Sequence, residues 1–247
     1  MKFHVWSDLH TELLSTNHVK KLCKIYFKKD LNTSIILAGD IGKPDDRRYL
    51  YVLDWCSRRY KNIFIIAGNH EYYNMDKNVI ENLRNMCKRF TNIYFLDKNV
   101  FCGDEYIIFG CTMWTCINTF ELDYIKKCYN DFKCIQNFEY SVCDWHKTDL
   151  NWLTDSLDYY KDDTRKKIVI THHMPSHSLI DSKYKNSPIN SAFATSDCDE
   201  LLAQVDYWIY GHTHTSRRSK INNCTCICNP IGYQGENEYI PNYTFNV

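Results

Sequence analysis

Side chains that can bind metal ions recur in five short blocks of this chain, each following a short apolar run. The blocks read SDLH, AGD, AGNHE, THH and GHTH, and their candidate ligands are Asp8, His10, Asp40, Asn69, His172, His212 and His214. Three of these ligands directly follow a glycine, although the chain has only 8 glycines. Oxygen and imidazole ligands that converge from strand ends are what two neighbouring divalent cations require. The pattern therefore predicts a dinuclear hydrolase centre.

The spacing within the blocks suits ligands that share a cation. Asp8 and His10 are two residues apart, as are His212 and His214, and side chains two apart on extended backbone point the same way. A carboxylate at Asp40 can bridge two metals. Each block alone also fits an ordinary surface pair or strand-ending turn. The ordered set of five favours a metal centre.

Composition limits the class of protein. With 247 residues the chain can bury a large core. Its 30 basic residues balance 30 acidic ones, which argues against bulk electrostatic capture of long nucleic acid or anionic membrane. No apolar run suits a signal peptide or a membrane span, so we expect a soluble, cytoplasmic protein. Its 13 cysteines include no CxxC pair, and we expect them to be reduced and mostly buried.

Strand-like and helix-like patterns alternate through the first 90 residues. Apolar runs at 2–6, 34–38 and 62–67 alternate with helical periodicity at 18–29, 47–60 and 77–90, which predicts a mostly parallel sheet. Short strands at 93–96, 100–102 and 106–110 suggest a second, more antiparallel sheet. Residues 120–163 are mainly helical, and strand patterns return at 167–171, 206–210, 225–229 and 243–247. We expect one domain over residues 1–247.

In this order, the motifs D-x-H, G-D, G-N-H-[DE], H and G-H-x-H resemble those of the calcineurin-like metallophosphoesterase superfamily. The resemblance runs from Asp8 to His214 and on to the final strands. GNHEYY, THHMPS and CNPIGY are similar to motifs of a compact group of bacterial and viral phosphoesterases. The resemblance implies an α/β fold, a four-layer α/β/β/α sandwich of two mixed sheets flanked by helices.

The resemblance also implies a division of ligands between two cations. One would be held by Asp8, His10, Asp40 and His214, and the other by Asp40, Asn69, His172 and His212. A hydroxide held by the cations would attack phosphorus, and His70 would protonate the leaving oxygen, a role that suits an imidazole beside the ligands. The mixed ligand types accept Mn, Fe, Zn, Co or Ni.

The sequence departs from the protein-phosphatase branch at one position. That branch carries GDxxDRG, whose second aspartate orients the catalytic histidine. Here the run is GDIGK, with Lys43 at that position and Asp45 and Asp46 out of register. The departure argues against a phosphoprotein phosphatase and leaves the partner of His70 unassigned.

Three further residues are candidates for substrate binding: His173, Arg47 and Tyr72. Each also has an ordinary explanation. His173 could be a loop histidine, Arg47 could lie on the solvent-facing start of a helix, and Tyr72 could pack in the interior. The aromatic middle of the chain, with Trp114 and Asp131, either caps the site or packs on the sheet.

The predicted function is metal-dependent hydrolysis of a small phosphodiester or phosphomonoester, nucleotides included. The first alternative is a metal-free scaffold of the same fold that acts in protein binding, like the retromer subunit of this superfamily. The complete ligand set argues against it. The second is a nuclease on longer nucleic acid, which the lack of a basic stripe argues against.

Overall fold

The computed structural model describes residues 1–75, 78–236, 239–241 and 243–247. Its strands are β1 (Lys2–Trp6), β2 (Thr33–Ala38), β3 (Ile63–Ile66), β4 (Ile93–Phe95), β5 (Asn99–Cys102), β6 (Tyr106–Gly110), β7 (Lys166–Ile170), β8 (Tyr207–Tyr210), β9 (Arg217–Ile221), β10 (Cys224–Cys228) and β11 (Thr244–Asn246). Its helices are α1 (Thr16–Tyr26), α2 (Arg47–Ser57), α3 (Val79–Cys87), α4 (Leu122–Cys128), α5 (Asp131–Cys134) and α6 (Phe138–Tyr159).

The strands form two mixed sheets. The first has the order β11-β1-β2-β3-β4, with β1 to β4 parallel and β11 antiparallel at the edge. The second has the order β5-β6-β7-β8-β10-β9, with a parallel centre and antiparallel edges at β5 and β9. Parallel strands bring their carboxyl ends to one edge of each sheet, which is where ligands bind in such folds.

The two sheets pack face to face with helices on both outer faces. In β2, Ile36 faces the second sheet and packs with Ile168 of β7, while Leu37 faces the helices. Helices α1, α2 and α3 cover the first sheet, and α6 covers the second through residues such as Leu153. This confirms the four-layer α/β/β/α sandwich.

The predicted sheet of one strand was wrong. Residues 93–95 form β4 at the edge of the first sheet, because their backbone pairs with β3. The second sheet has two antiparallel pairings against one in the first, which agrees with the expected more antiparallel sheet, although β6, β7 and β8 in its centre are parallel. Helix α3 begins at Val79, and Lys77, where we expected it to begin, lies outside the described residues. Over the described ranges, no helix has the length and apolar character to cross a membrane.

The cysteines agree with expectation except for one pair. Cys224, Cys226 and Cys228 lie on one buried face of β10, as their spacing predicts. Cys116 and Cys143 are joined in a disulfide, so the prediction of reduced thiols is wrong for this pair. Helix α6 folds against the segment before α4, and the Cα atoms of Cys116 and Cys143 are therefore 4.3 Å apart. The positions of the two cysteines in the sequence do not reveal this contact.

Candidate metal centre

The predicted ligands follow the carboxyl ends of strands from both sheets. Asp8, Asp40 and Asn69 come after β1, β2 and β3, while His172 and His212 come after β7 and β8. All five are buried, with 0% to 8% of their surface exposed. Packing the two sheets face to face therefore brings distant parts of the chain into one site.

A first group of donors contains Asp8, His10 and His214, which can each offer one ligand atom within 4.8 Å of the others. Nε2 of His10 lies 2.9 Å from Nε2 of His214, and Nε2 of His214 lies 3.5 Å from Oδ1 of Asp8. Two imidazoles and a carboxylate are a suitable donor set for a divalent transition metal.

A second group contains Asp40, His172 and His212, again within 4.8 Å of one another. The amide oxygen of Asn69 lies 3.0 Å from Nε2 of His172. Oδ2 of Asp40 is 3.3 Å from Nε2 of His172 and 3.9 Å from Nε2 of His10. Oδ2 of Asp40 thus also lies near a histidine of the first group, and the donor types of both groups suit divalent cations.

The backbone at the ligands adopts an unusual conformation. Five non-glycine residues here have left-handed φ angles between 47° and 68°, namely Asp8, His10, Asp40, His212 and His214. Such backbone costs about 1–3 kcal/mol per residue and clusters at functional sites. The surrounding fold thus stabilises a geometry that serves the side chains of this centre.

Two of the glycines that precede ligands are required by close contacts. Gly39 has a φ of 86°, and a Cβ atom there would lie 2.5 Å from Nδ1 of His172. A Cβ atom on Gly68 would lie 2.2 Å from Oδ1 of Asp40. Only glycine lets these loops approach the ligands so closely.

Neighbouring groups orient the ligand rings. Nδ1 of His172 lies 2.9 Å from the carbonyl oxygen of Ala38, and Nδ1 of His214 lies 2.7 Å from Oε2 of Glu236. In both rings the partner fixes Nδ1 and leaves Nε2 facing the centre. Such outer partners set the tautomer and the orientation of metal-binding histidines.

Buried Glu71 connects two of the ligand loops. Its carboxylate accepts hydrogen bonds from the N–H groups of Gly68 (2.7 Å), Asp40 (3.0 Å) and Ile41 (2.8 Å). The side chain is fully buried. Burial and the nearby Asp40 carboxylate raise the pKa of Glu71 to about 7.

Asp131 orients the amide of Asn69. Oδ1 of Asp131 accepts hydrogen bonds from Nδ2 of Asn69 at 2.8 Å and from the hydroxyl of Tyr73 at 2.5 Å. The amide oxygen of Asn69 consequently points toward His172. The buried side chain of Asp131 thus packs directly against the site, and a capping role of this segment toward substrate stays a prediction.

His70 lies beside the ligands and has a carboxylate partner. Its Nδ1 is 2.8 Å from Oε1 of Glu12, and its Nε2 is 3.9 Å from Oδ2 of Asp40. Burial lowers the pKa of His70, but the carboxylates of Asp40 and Glu12 outweigh burial and raise it. Asp46, near the position of the missing aspartate, instead caps α2 and pairs with Arg48. Glu12 therefore occupies the place of the orienting group that the sequence left unassigned.

Two histidines of the centre, His172 and His214, have a raised pKa, whereas burial lowers the pKa of His212 well below its usual value. Burial lowers the pKa of His172, but the carboxylates of Asp40 and Asp8 outweigh it and raise the pKa to about 10. Burial also lowers the pKa of His214, but the carboxylates of Asp8 and Glu236 outweigh burial and raise this pKa to about 9. A cation that binds these rings has to displace protons, so its affinity rises with pH.

None of the three candidate substrate residues lines the cleft at the centre. His173 is buried, with its ring 4.4 Å from that of His212 and 5.2 Å from that of Trp114. Tyr72 lines a separate cavity beside Trp114 and Asp149. Arg47 is exposed at the start of α2 and does not line the cleft at the centre. Their roles in substrate binding stay predictions.

Sequence analysis assigns no role to Glu12, Tyr129 or Glu236. Glu12 extends the first motif to D-x-H-x-E, a spacing that could have marked it as a neighbour of the ligands. The hydroxyl of Tyr129 is 3.0 Å from Nε2 of His212. Neither Tyr129 nor Glu236 stands in a motif, so only the fold reveals their positions.

Comparison with known proteins decides the family. The model of the calcineurin-like phosphoesterase family matches residues 1–216. This chain belongs to that family. It is also 32% identical to an uncharacterized mimivirus protein, L509 of Acanthamoeba polyphaga mimivirus, over 97% of this chain and 94% of the relative.

Solved structures share the fold of this phosphoesterase. The phosphopantetheinyl hydrolase PptH from Mycobacterium tuberculosis aligns with a TM-score of 0.77 and 18% identity, over 95% of this chain and 90% of that one. A dimetal phosphatase from Danio rerio aligns with a TM-score of 0.53 and 14% identity, over 92% and 86% of the two chains. The family is metal-dependent, and the two donor groups are where this member could hold cations.

Proposed function

We propose that this calcineurin-like phosphoesterase hydrolyses a small phosphoester with the help of two divalent cations. The observation that carries the proposal is the pair of donor groups, in which Asp40 of the second group also lies near His10 of the first, with His70 adjacent. Asp8, His10, Asp40 and His214 would hold one cation, and Asp40, Asn69, His172 and His212 the other. The donor types suit Mn, Fe, Zn, Co or Ni.

When bound, two such cations would lower the pKa of a coordinated water and neutralise charge on the phosphoryl oxygens. The rest of the reaction depends on the side chains of the protein. Asp40 and Asp8 would balance the positive charge, while Glu71 and Asp131 keep the ligand loops and the Asn69 amide in position.

His70 would supply a proton to the leaving oxygen. Because Nδ1–H of His70 donates to Glu12, the transferable proton belongs to Nε2, which faces Asp40 and the cleft. The Glu12 carboxylate also stabilises the protonated ring, which keeps the acid form available. A leaving alkoxide protonated in this way departs more readily.

The test is metal analysis combined with an activity panel. Protein purified without chelator should contain two divalent cations per chain, and it should hydrolyse phosphomonoesters or phosphodiesters once Mn²⁺ is added. A chelator should abolish activity, and metal should restore it. Asp40→Asn should be the most damaging ligand change, since Asp40 would serve both cations, whereas Asp104→Asn at an exposed turn is the matched control.

Two outcomes would contradict the proposal. Full activity of metal-stripped protein would refute the mechanism. Protein that binds no cation and cleaves no ester would favour a scaffold that acts in protein binding.

A further inference from the structure

A cleft of about 360 Å³ opens from the metal centre. One side is formed by the centre itself, including His70 and Asp40. An apolar wall adjoins the centre and consists of Tyr129, Met174, Ile180, Ile189 and Phe193, while polar residues that include Asn130, Ser187 and Asn190 line other parts of the cleft. A molecule whose phosphoryl group reaches the ligands can place its organic part against this wall.

The cleft offers little positive charge apart from the cations that the centre would hold. Among the described residues, no lysine or arginine lines it. Glu236 stands at the cleft beside His214, and Asp8 and Glu12 lie close behind the ligand rings. A second phosphate could accept hydrogen bonds from polar side chains such as Asn130 and Ser187, but among the described lining residues it would find no lysine or arginine to pair with its charge.

We propose that the substrate is a phosphodiester with a single negative charge and an apolar or aromatic ester group. The inference rests on the proposed function and specifies its substrate class. A diester carries one charge where a monoester near neutral pH carries close to two, so the diester needs fewer cationic partners. Its ester group would be buried against Ile189 and Phe193, which is favourable by about 25 cal/mol per Å² of apolar surface removed from water.

Two hydrophobic clusters pack against this apolar wall and hold it in place. Ile189 and Phe193 pack into the aromatic cluster formed with Trp114 and Phe138, and Ile180 packs against the core of the second sheet. Phe193 also lies against a ligand, with its ring 4.6 Å from that of His212. The apolar surface is therefore built into the structure next to the reacting centre.

The experiment compares esters that share 4-nitrophenolate as the leaving group. The panel is 4-nitrophenyl phosphate, methyl 4-nitrophenyl phosphate and phenyl 4-nitrophenyl phosphate, assayed with saturating Mn²⁺. The phenyl diester should have a kcat/KM at least about 10-fold above that of the methyl diester, since one group in an apolar pocket changes specificity about 10–200-fold. The monoester should be the poorest of the three.

Three variants test how the wall and the charge of the cleft set this preference. Ile189→Ala should raise KM for the phenyl diester about 10-fold and change KM for the methyl diester less than about 2-fold. Ile25→Ala, at an exposed position of α1, is the matched control and should change neither. Ser187→Lys places a cation in the cleft and should raise kcat/KM for the monoester.

The outcomes separate this inference from the proposed function. Hydrolysis in which the monoester equals or exceeds both diesters would overturn the inference and leave the proposed function intact. Equal effects of Ile189→Ala on the methyl and phenyl diesters would overturn it too. Hydrolysis of none of the three esters with any of the divalent metals would instead count against the proposed function itself.

Discussion

The imidazole of His70 is held by a carboxylate 58 residues away in the sequence. Glu12 stands in a 3₁₀ turn directly after ligand His10, and its side chain is 8% exposed. Burial raises the pKa of Glu12, but hydrogen bonds to His10 and His70 outweigh burial and lower it to about 2. The ionised carboxylate can therefore orient His70 and favour its protonated form.

The first prediction at this scale concerns His70. His70→Ala should retain both cations and lose about 10²–10⁴-fold in rate, because a general acid contributes that much. The loss should shrink for nitrophenyl esters, whose leaving groups need little protonation. Steady-state rates over a series of leaving groups, with metal content measured in parallel, test this. His18→Ala at an exposed position of α1 is the control, and loss of metal from His70→Ala would contradict the role.

The second prediction concerns Glu12 as a positioning residue. Glu12→Gln should lower the rate about 10–100-fold, as is typical when an outer carboxylate partner of a histidine is removed. In a double variant with His70→Ala, Glu12→Gln should cause little further loss of rate, because the two residues act as a unit. Rates of the two single variants and the double variant test this, with exposed Glu105→Gln as control.

Metal content gives the Glu12 experiment a decisive second readout. His10, Glu12 and His70 also offer ligand atoms within 4.8 Å of one another. If Glu12→Gln releases a cation, Glu12 is a metal ligand and its positioning role is wrong. Unchanged metal content with an altered dependence on the leaving group supports positioning.

At the scale of elements, the loops after β2 and β3 are held together by Glu71 through backbone N–H groups. Glu71→Gln should destabilise the fold by about 1–3 kcal/mol and weaken Mn²⁺ binding, because the amide nitrogen must face a backbone donor. Urea unfolding and metal titration measure the two effects. Glu81→Gln on the exposed face of α3 is the matched control, and equal behaviour of both variants would show that Glu71 does not hold these loops.

The elements show how far sequence predicts this fold. Apolar runs and glycines locate the strands and their ends, so the approximate places of Asp8, Asp40 and His172 follow from pattern alone. β9 was not predicted because RRSKI has little apolar character, and it forms as an edge through pairing with β10. The contact of Asp131 with Asn69 spans 62 residues, and no local pattern carries that information.

At the scale of the whole molecule, the site exists only where the two sheets meet. The first sheet supplies Asp8, Asp40 and Asn69, and the second supplies His172 and His212. The core between the sheets, which includes Phe3 and Ile168, fixes how these ligands face each other. A change in the packing of this core would therefore alter the spacing of the ligands without touching any of them.

The last prediction concerns the charge of the whole chain. The 30 basic and 30 acidic residues balance, and no lysine or arginine lines the cleft in the part of the chain that the structure describes. With metals saturating, KM for a small ester should change only modestly between about 50 and about 200 mM salt, whereas a protein with many phosphate contacts loses about 10³-fold or more in affinity. A matched assay on long single-stranded RNA serves as the comparison. Efficient cleavage of that RNA with a steep salt dependence would mean that a basic surface outside the cleft captures the substrate, and the protein would then act as a nuclease.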